Sequence, residues 1–184
     1  MIHTIGLFCS SENEIDTIYF DEAVSLGRFI GENKLRLIYG GANVGLMEET
    51  ARNVKLYGGY MTGVITEKIS GWGKKSKLPD RMIQVKTLAE RKQILTELAD
   101  IFIALPGGFG TLDEIFNVIA SAHLGYHSKK ILFCNTNGFY DKLIEQIEYS
   151  YHSGFAKNSY RDHYHVASNI TECIKIIKKT NKEI

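Results

Sequence analysis

Cysteine, proline, long apolar runs and surplus charge are all scarce in this 184-residue chain, and each scarcity closes off a class of protein. Three cysteines, Cys9, Cys134 and Cys173, stand far apart with no C-x-x-C pair. That count argues against a disulfide framework or a zinc site and fits a reducing compartment. No stretch approaches the roughly 20 apolar residues that cross a bilayer. The first apolar run, residues 5–9, is too short for a secretory signal and lacks a basic start. A cytoplasmic protein without a membrane span is expected. The formal net charge is +1, so no broad field of one sign recruits a polyanion. Lys74-Lys75 with Lys77, the 127–130 cluster and Lys178-Lys179 are short, as solvated faces are, and no nucleic-acid partner is expected. The six histidines show no H-E-x-x-H spacing, and no G-x-S-x-G elbow is present. His163-x-His165 has chelating spacing, but an exposed edge strand explains it as well. No metal or cofactor is expected.

The remaining composition is that of a globular protein, 44% hydrophobic and 23% charged, which suits a single domain over 1–184. Apolar runs at 4–9, 35–39, 60–65, 82–86, 100–105 and 131–134 read as strands. Between them, helical spacing recurs: Ile15, Tyr19, Ala23, Leu26 and Ile30, then 46–56, 87–98, 111–124, 139–151 and 170–177. Short apolar strands alternating with amphipathic helices predict a Rossmann-like α/β fold, a doubly wound, mostly parallel sheet with helices on both faces. Ligands in such sheets bind beyond the carboxyl ends of the strands. Both glycine clusters, at 40–45 and 107–110, fall there. Residues 66–81 are rich in glycine and lysine, hold one of only two prolines, and read as a surface excursion.

The densest signal is Ala104-Leu105-Pro106-Gly107-Gly108-Phe109-Gly110-Thr111-Leu112-Asp113-Glu114. Glycines at a strand-to-helix turn let backbone approach a ligand, and the free N–H groups of a new helix attract an anion. A carboxylate in the first turn then stands beside that anion. Thr111-x-x-Glu114 is also a capping box, which gives Glu114 a local role instead. Thr87-x-x-Glu90 is a second box and opens the preceding helix. Behind it, Arg91 and Lys92 put cations at the positive end of the helix dipole, a locally unfavourable choice. Arg91 heads the stripe Ile94, Leu95, Leu98, so its guanidinium points inward and needs a partner, either a structural carboxylate or a bound phosphate. Gly40 and Gly45 have the separation of a P-loop, but Leu46-Met47 replace the Lys-Ser/Thr that grips phosphates and magnesium. That turn is a ligand contact or a plain tight turn. Ser10-Ser11 are either ligand donors or ordinary loop residues.

Taken together these residues resemble the LONELY GUY (LOG) proteins, nucleotide phosphoribohydrolases that activate cytokinins and are often mislabelled lysine decarboxylases. Residues 105–114 match their PGGxGTxxE signature, and Tyr39-Gly40-Gly41, Val44-Gly45-Leu46-Met47, Gly63-Val64-Ile65, Glu90-Arg91-Lys92 and Leu124-Gly125-Tyr126-His127 follow in family order. The resemblance implies hydrolysis of the N-glycosidic bond of a purine nucleoside 5′-monophosphate, AMP or an N6-modified AMP, without a cofactor. It implies Arg91 and Glu114 as the catalytic pair. It implies Ser11, Gly41, Met47, Lys92, Gly107, Gly108, Gly110 and Thr111 as substrate-binding residues, and a homodimer. Departures from the family pattern are Leu88-Ala89 before the arginine, Ser10 and Glu12 after the first strand, and Ala120-Ser121-Ala122 in the helix after the glycines. The 71–77 segment also lacks an acidic residue. These departures imply a remodelled base pocket. Molybdenum-cofactor carriers share the fold, so a non-hydrolysing nucleotide-binding or carrier role is the alternative. No lysine stands out as a Schiff-base candidate.

Overall fold

The computed structural model describes residues 1–182. Seven strands, β1 (Thr4–Phe8), β2 (Arg36–Tyr39), β3 (Tyr60–Thr66), β4 (Arg81–Val85), β5 (Ile101–Ala104), β6 (Ile131–Cys134) and β7 (Tyr164–Ala167), form one sheet in the order β4-β3-β2-β1-β5-β6-β7. Every neighbouring pair is parallel. β5 and β6 are buried at every position. Strands covered on both faces need continuous apolar runs rather than alternation, which is why they stand out in the sequence. β7 is an edge strand and carries His165, while His163 ends the 3-10 turn before it.

The helices are α1 (Thr17–Glu32), α2 (Gly45–Leu56), α3 (Glu67–Gly71), α4 (Leu88–Leu98), α5 (Phe109–His123), α6 (Asp141–His152) and α7 (Ile170–Lys182). α1, α2 and α7 cover one face, burying Leu26, Ile30, Leu46, Val54 and Ile177 against Leu7, Leu37 and Ile103. α4, α5 and α6 cover the other, where Leu95, Ile115 and Val118 pack on Phe8, Ile38 and Phe102. Each such apolar side chain contributes roughly 1.5–3 kcal/mol by leaving water. Phe8 and Phe102 stack at 4.9 Å between ring centres. α1 starts at Asp16, whose carboxylate accepts the Ile18 N–H at 3.0 Å. α4 starts at the expected box, with Thr87 accepting from the Glu90 N–H and Glu90 accepting from the Thr87 N–H.

Two local expectations are corrected. Thr111 does not cap α5. The helix begins two residues earlier, with Gly108 at the cap and no side chain closing it. Thr111 is thereby a third-position residue and Glu114 lies in the second turn, out of reach of the cap amides. Both point into the protein, 3% and 8% exposed. Residues 66–81 are also more than an excursion. They contain α3, and an antiparallel bridge between Ala42 and Lys75 ties them to the β2–α2 loop.

The sheet order reverses between β1 and β5. β1 leads through α1 to β2 on one side, and β5 lies on the other. A crevice opens beyond the carboxyl ends of strands at such a switch point.

Candidate active site

The crevice is a cavity of about 380 Å³ at the C-terminal ends of β1, β2, β3 and β5. Cys9, Ser10, Ser11 and Glu12 follow β1, Gly40 and Met47 come from the β2–α2 connection, and Gly108, Phe109, Gly110, Thr111 and Glu114 follow β5. Backbone hydrogen bonds stitch these loops together. The Ser10 N–H donates to Pro106 O at 3.0 Å, and the Leu46 N–H donates to Ser10 O at 3.1 Å. The buried Tyr140 hydroxyl donates to Leu105 O at 2.7 Å, holding the start of the glycine loop from beneath. The walls are thus held by the fold's own hydrogen bonds, which keeps the reorganisation cost at the site low.

Two helix N-termini face this region, and they differ in what is left over. At α2 the Gly45 N–H donates to Asn13 Oδ1 and the Leu46 N–H to Ser10 O. At α5 the N–H groups of Phe109, Gly110 and Thr111 take no acceptor among the described residues. Unpaired amides at the positive end of a helix dipole form an anion cradle. A Cβ placed on Gly108 or Gly110 would meet no atom within 4 Å, so both lie against open space. Gly110→Ala is therefore expected to keep or slightly raise stability, while weakening nucleotide or phosphate binding by about tenfold or more. Thermal melts with and without inorganic phosphate check both halves.

Arg91 and Glu114 meet at the cavity floor. The Arg91 Nη2 lies 3.3 Å from Glu114 Oε1, with the two side chains 14% and 10% exposed. Arg91 Nε–H also donates to Val64 O at 3.1 Å. Burial pushes the Glu114 carboxyl up to about 7, with the Arg91 guanidinium opposing that rise, Asp113 adding to it and Lys92 opposing it. A carboxyl poised there exchanges a proton near neutral pH, as acid–base work requires. Burial, reinforced by Glu114, pushes the Cys9 thiol well up, so it stays protonated and is no nucleophile.

The structure brings Arg91, Glu114, Ser11, Met47, Gly108, Gly110 and Thr111 to the cavity. Gly41, Lys92 and Gly107 lie outside its lining. Gly41 has a φ of +68° and serves the turn. Lys92 pairs with Asp113 at 2.8 Å. A Cβ on Gly107 would meet Thr111 Oγ1 at 2.1 Å, so this glycine lets the threonine pack. Sequence reasoning missed Ile69 and Phe109 in the wall, and reached Glu12, Trp72 and Lys74 only as parts of segments that depart from the family pattern. It also missed what Gly40 does: a Cβ there would fall 2.1 Å from Arg91 Nη2. Among the described residues no three His, Cys, Asp or Glu side chains group to hold a metal. Among the described residues no helix is long and apolar enough to cross a membrane.

A parallel, doubly wound sheet with unpaired helix amides and a carboxyl–guanidinium pair in the crevice at its switch point defines a Rossmann-like protein. Residues 47–177 match the family model described as "Possible lysine decarboxylase". The chain is 36% identical over 182 residues to the cytokinin riboside 5′-monophosphate phosphoribohydrolase of Rhodococcoides fascians, covering 95% of this chain and 89% of that one. It is 37% identical over 157 residues to a probable enzyme of the same name from Oryza sativa subsp. japonica, covering 85% and 69%. The chain belongs to this family, the LONELY GUY proteins. Among solved structures, the molybdenum cofactor binding protein of the phototrophic bacterium Rippkaea orientalis superimposes with a TM-score of 0.74 at 24% identity, covering 98% of both chains. The Moco carrier protein of Chlamydomonas reinhardtii gives 0.73 at 20% identity, over the whole of both chains. At those identities the likeness speaks for the fold.

The family description mentions lysine decarboxylation, but the cavity does not fit pyridoxal phosphate. Its only lysine among the described residues is Lys74, on an exposed loop.

Proposed function

We propose that this protein hydrolyses the N-glycosidic bond of a purine nucleoside 5′-monophosphate, AMP or an N6-modified AMP, to free base and ribose 5-phosphate. The observation that carries this reading is the buried Arg91–Glu114 pair beside the unpaired amides of α5. The 5′-phosphate sits on the amides of Phe109, Gly110 and Thr111, and its binding energy orients the sugar over Glu114. As the bond from C1′ to the base nitrogen breaks, positive charge grows on C1′ and the ring oxygen. The Glu114 carboxylate stabilises that charge and accepts a proton from water as the water oxygen bonds C1′. Arg91 orients the carboxylate, and the departing base takes up a proton. All of this is done by the chain's own amides and side chains and by water.

The experiment is mass spectrometry of the purified protein incubated separately with AMP, GMP, CMP and isopentenyl-AMP. Free base with an equal amount of ribose 5-phosphate is expected from a purine nucleotide. AMP that binds but is not consumed would favour a nucleotide-binding or carrier role.

The protein acts as a single domain, in a reducing cytoplasm suited to its three free thiols, and as a homodimer. Phe109, Phe116, Ala120 and Leu124 form an exposed stripe along α5, with Phe109 93% and Leu124 71% exposed. An apolar stripe of that kind on a helix marks a protein contact. Phe116→Glu is expected to yield a monomer in sedimentation where the unaltered chain is a dimer.

A further inference from the structure

Trp72 is the chain's one tryptophan, and it is 62% exposed while lining the catalytic cavity. Leaving so large an apolar ring in water is unfavourable unless something covers it. Nothing in the fold does. Gly71 and Gly73 flank it, and a Cβ on either would meet no atom within 4 Å. Its one ring contact is the Lys68 ammonium, 5.7 Å from the ring centre.

The backbone that carries the ring is nonetheless held in place. Trp72 closes α3, whose first turn is capped by Thr66. The residues after it are tied to the opposite wall: the Asn43 N–H donates to Lys74 O at 2.9 Å, and the Ser76 N–H donates to Gly41 O at 2.9 Å. Those bonds fix the 66–81 segment against the β2–α2 loop, so the indole belongs to a preformed wall.

The two ends of the cavity are chemically distinct. The α5 end offers unpaired amides and suits phosphate. The α3 end offers the flat apolar surface of Ile69 and Trp72, with Lys74 beside it and neither Glu67 nor Asp80 of that segment in the lining. A nucleotide laid along the cavity with its phosphate on α5 puts its base at the α3 end. We propose that Trp72 stacks on the purine of the substrate and sets a preference for the larger, flatter bases. This rests on the phosphoribohydrolase reading of the site. Stacking on an aromatic ring recognises any base by its π-face, and the gain grows with ring area. The segment thus supplies base affinity through a flat ring, while the anion cradle supplies orientation.

The test needs no variant at first, because Trp72 is the chain's sole indole emitter. Titration with AMP is expected to quench Trp72 emission, whereas ribose 5-phosphate, which lacks a base, binds without quenching. Trp72→Ala is then expected to raise KM for AMP by about tenfold with kcat within about threefold. Trp72→Phe, which keeps a flat ring, restores most of that affinity. AMP turnover with unchanged Trp72 emission and an unchanged KM in Trp72→Ala would overturn this inference alone. The absence of both AMP binding heat and product would overturn it together with the reading of the site.

Discussion

Glu114→Gln is expected to leave the fold intact and to lower turnover by about two orders of magnitude or more. The amide keeps the shape of the side chain and still accepts from Arg91, so packing and orientation survive. It carries no negative charge to set against the developing cation and takes no proton from water. The same carboxyl fixes the pH dependence. In the proposed mechanism the working form is ionised, so kcat/KM of the unaltered enzyme is expected to rise with pH through about 7 and then level. A carboxyl acting as an acid gives the opposite limb. Stability moves the other way. The fold favours protonated Glu114, so its stabilising contribution is complete below the ordinary carboxyl value near ~4.3 and is lost as pH rises through about 7. Relative to the unaltered chain, Glu114→Gln therefore gains stability of the order of 1–3 kcal/mol at pH 8 and almost none at pH 4. Urea midpoints at the two pH values measure the difference.

Arg91→Ala is expected to lower kcat/KM by roughly 10²–10³-fold, the usual scale for losing one group that stabilises charge in a dry site. Removing the guanidinium takes away the interaction that opposes the rise in the Glu114 value. The carboxyl then holds its proton to higher pH, and the alkaline shift of the pH profile reports it. Gly40→Ala reaches the same pair without altering the chemistry of either member. Its new methyl would overlap the Arg91 head, the far end of a flexible side chain, so the chain absorbs the clash by moving Arg91. Activity should fall tenfold or more, while the melting temperature changes by only a few degrees. Equal losses of activity and stability in Gly40→Ala would mean that the glycine serves packing alone.

The parts of this molecule legible in its sequence are those written in local chemistry. The buried runs of β5 and β6 stand out because strands covered on both faces have no polar side. The α4 box is legible because Thr87 and Glu90 satisfy each other within one turn. Arg91 is legible as an inward cation because its place on the helix is unfavourable unless something across the fold answers it, and Glu114 does. At α5 the same box pattern misleads. The glycines allow the helix to start at Phe109, which turns Thr111 and Glu114 inward and leaves the first amides open. Gly40 and Trp72 are beyond local reading. One makes room for a side chain 51 positions later, and the other is aimed by backbone bonds from Lys74 and Ser76 to the β2–α2 loop, which carry no side-chain signature.

The proposed reaction has Arg91 and Glu114 turn a phosphate-anchored nucleotide into free base. Its most direct test is the yield of adenine and ribose 5-phosphate from AMP, measured side by side for the unaltered chain and Glu114→Gln at pH 8. Equal amounts of both products from the former, with about a hundredfold less from the latter, is the predicted result. Matching yields from the two proteins, or AMP recovered intact from both after saturable binding, would contradict it.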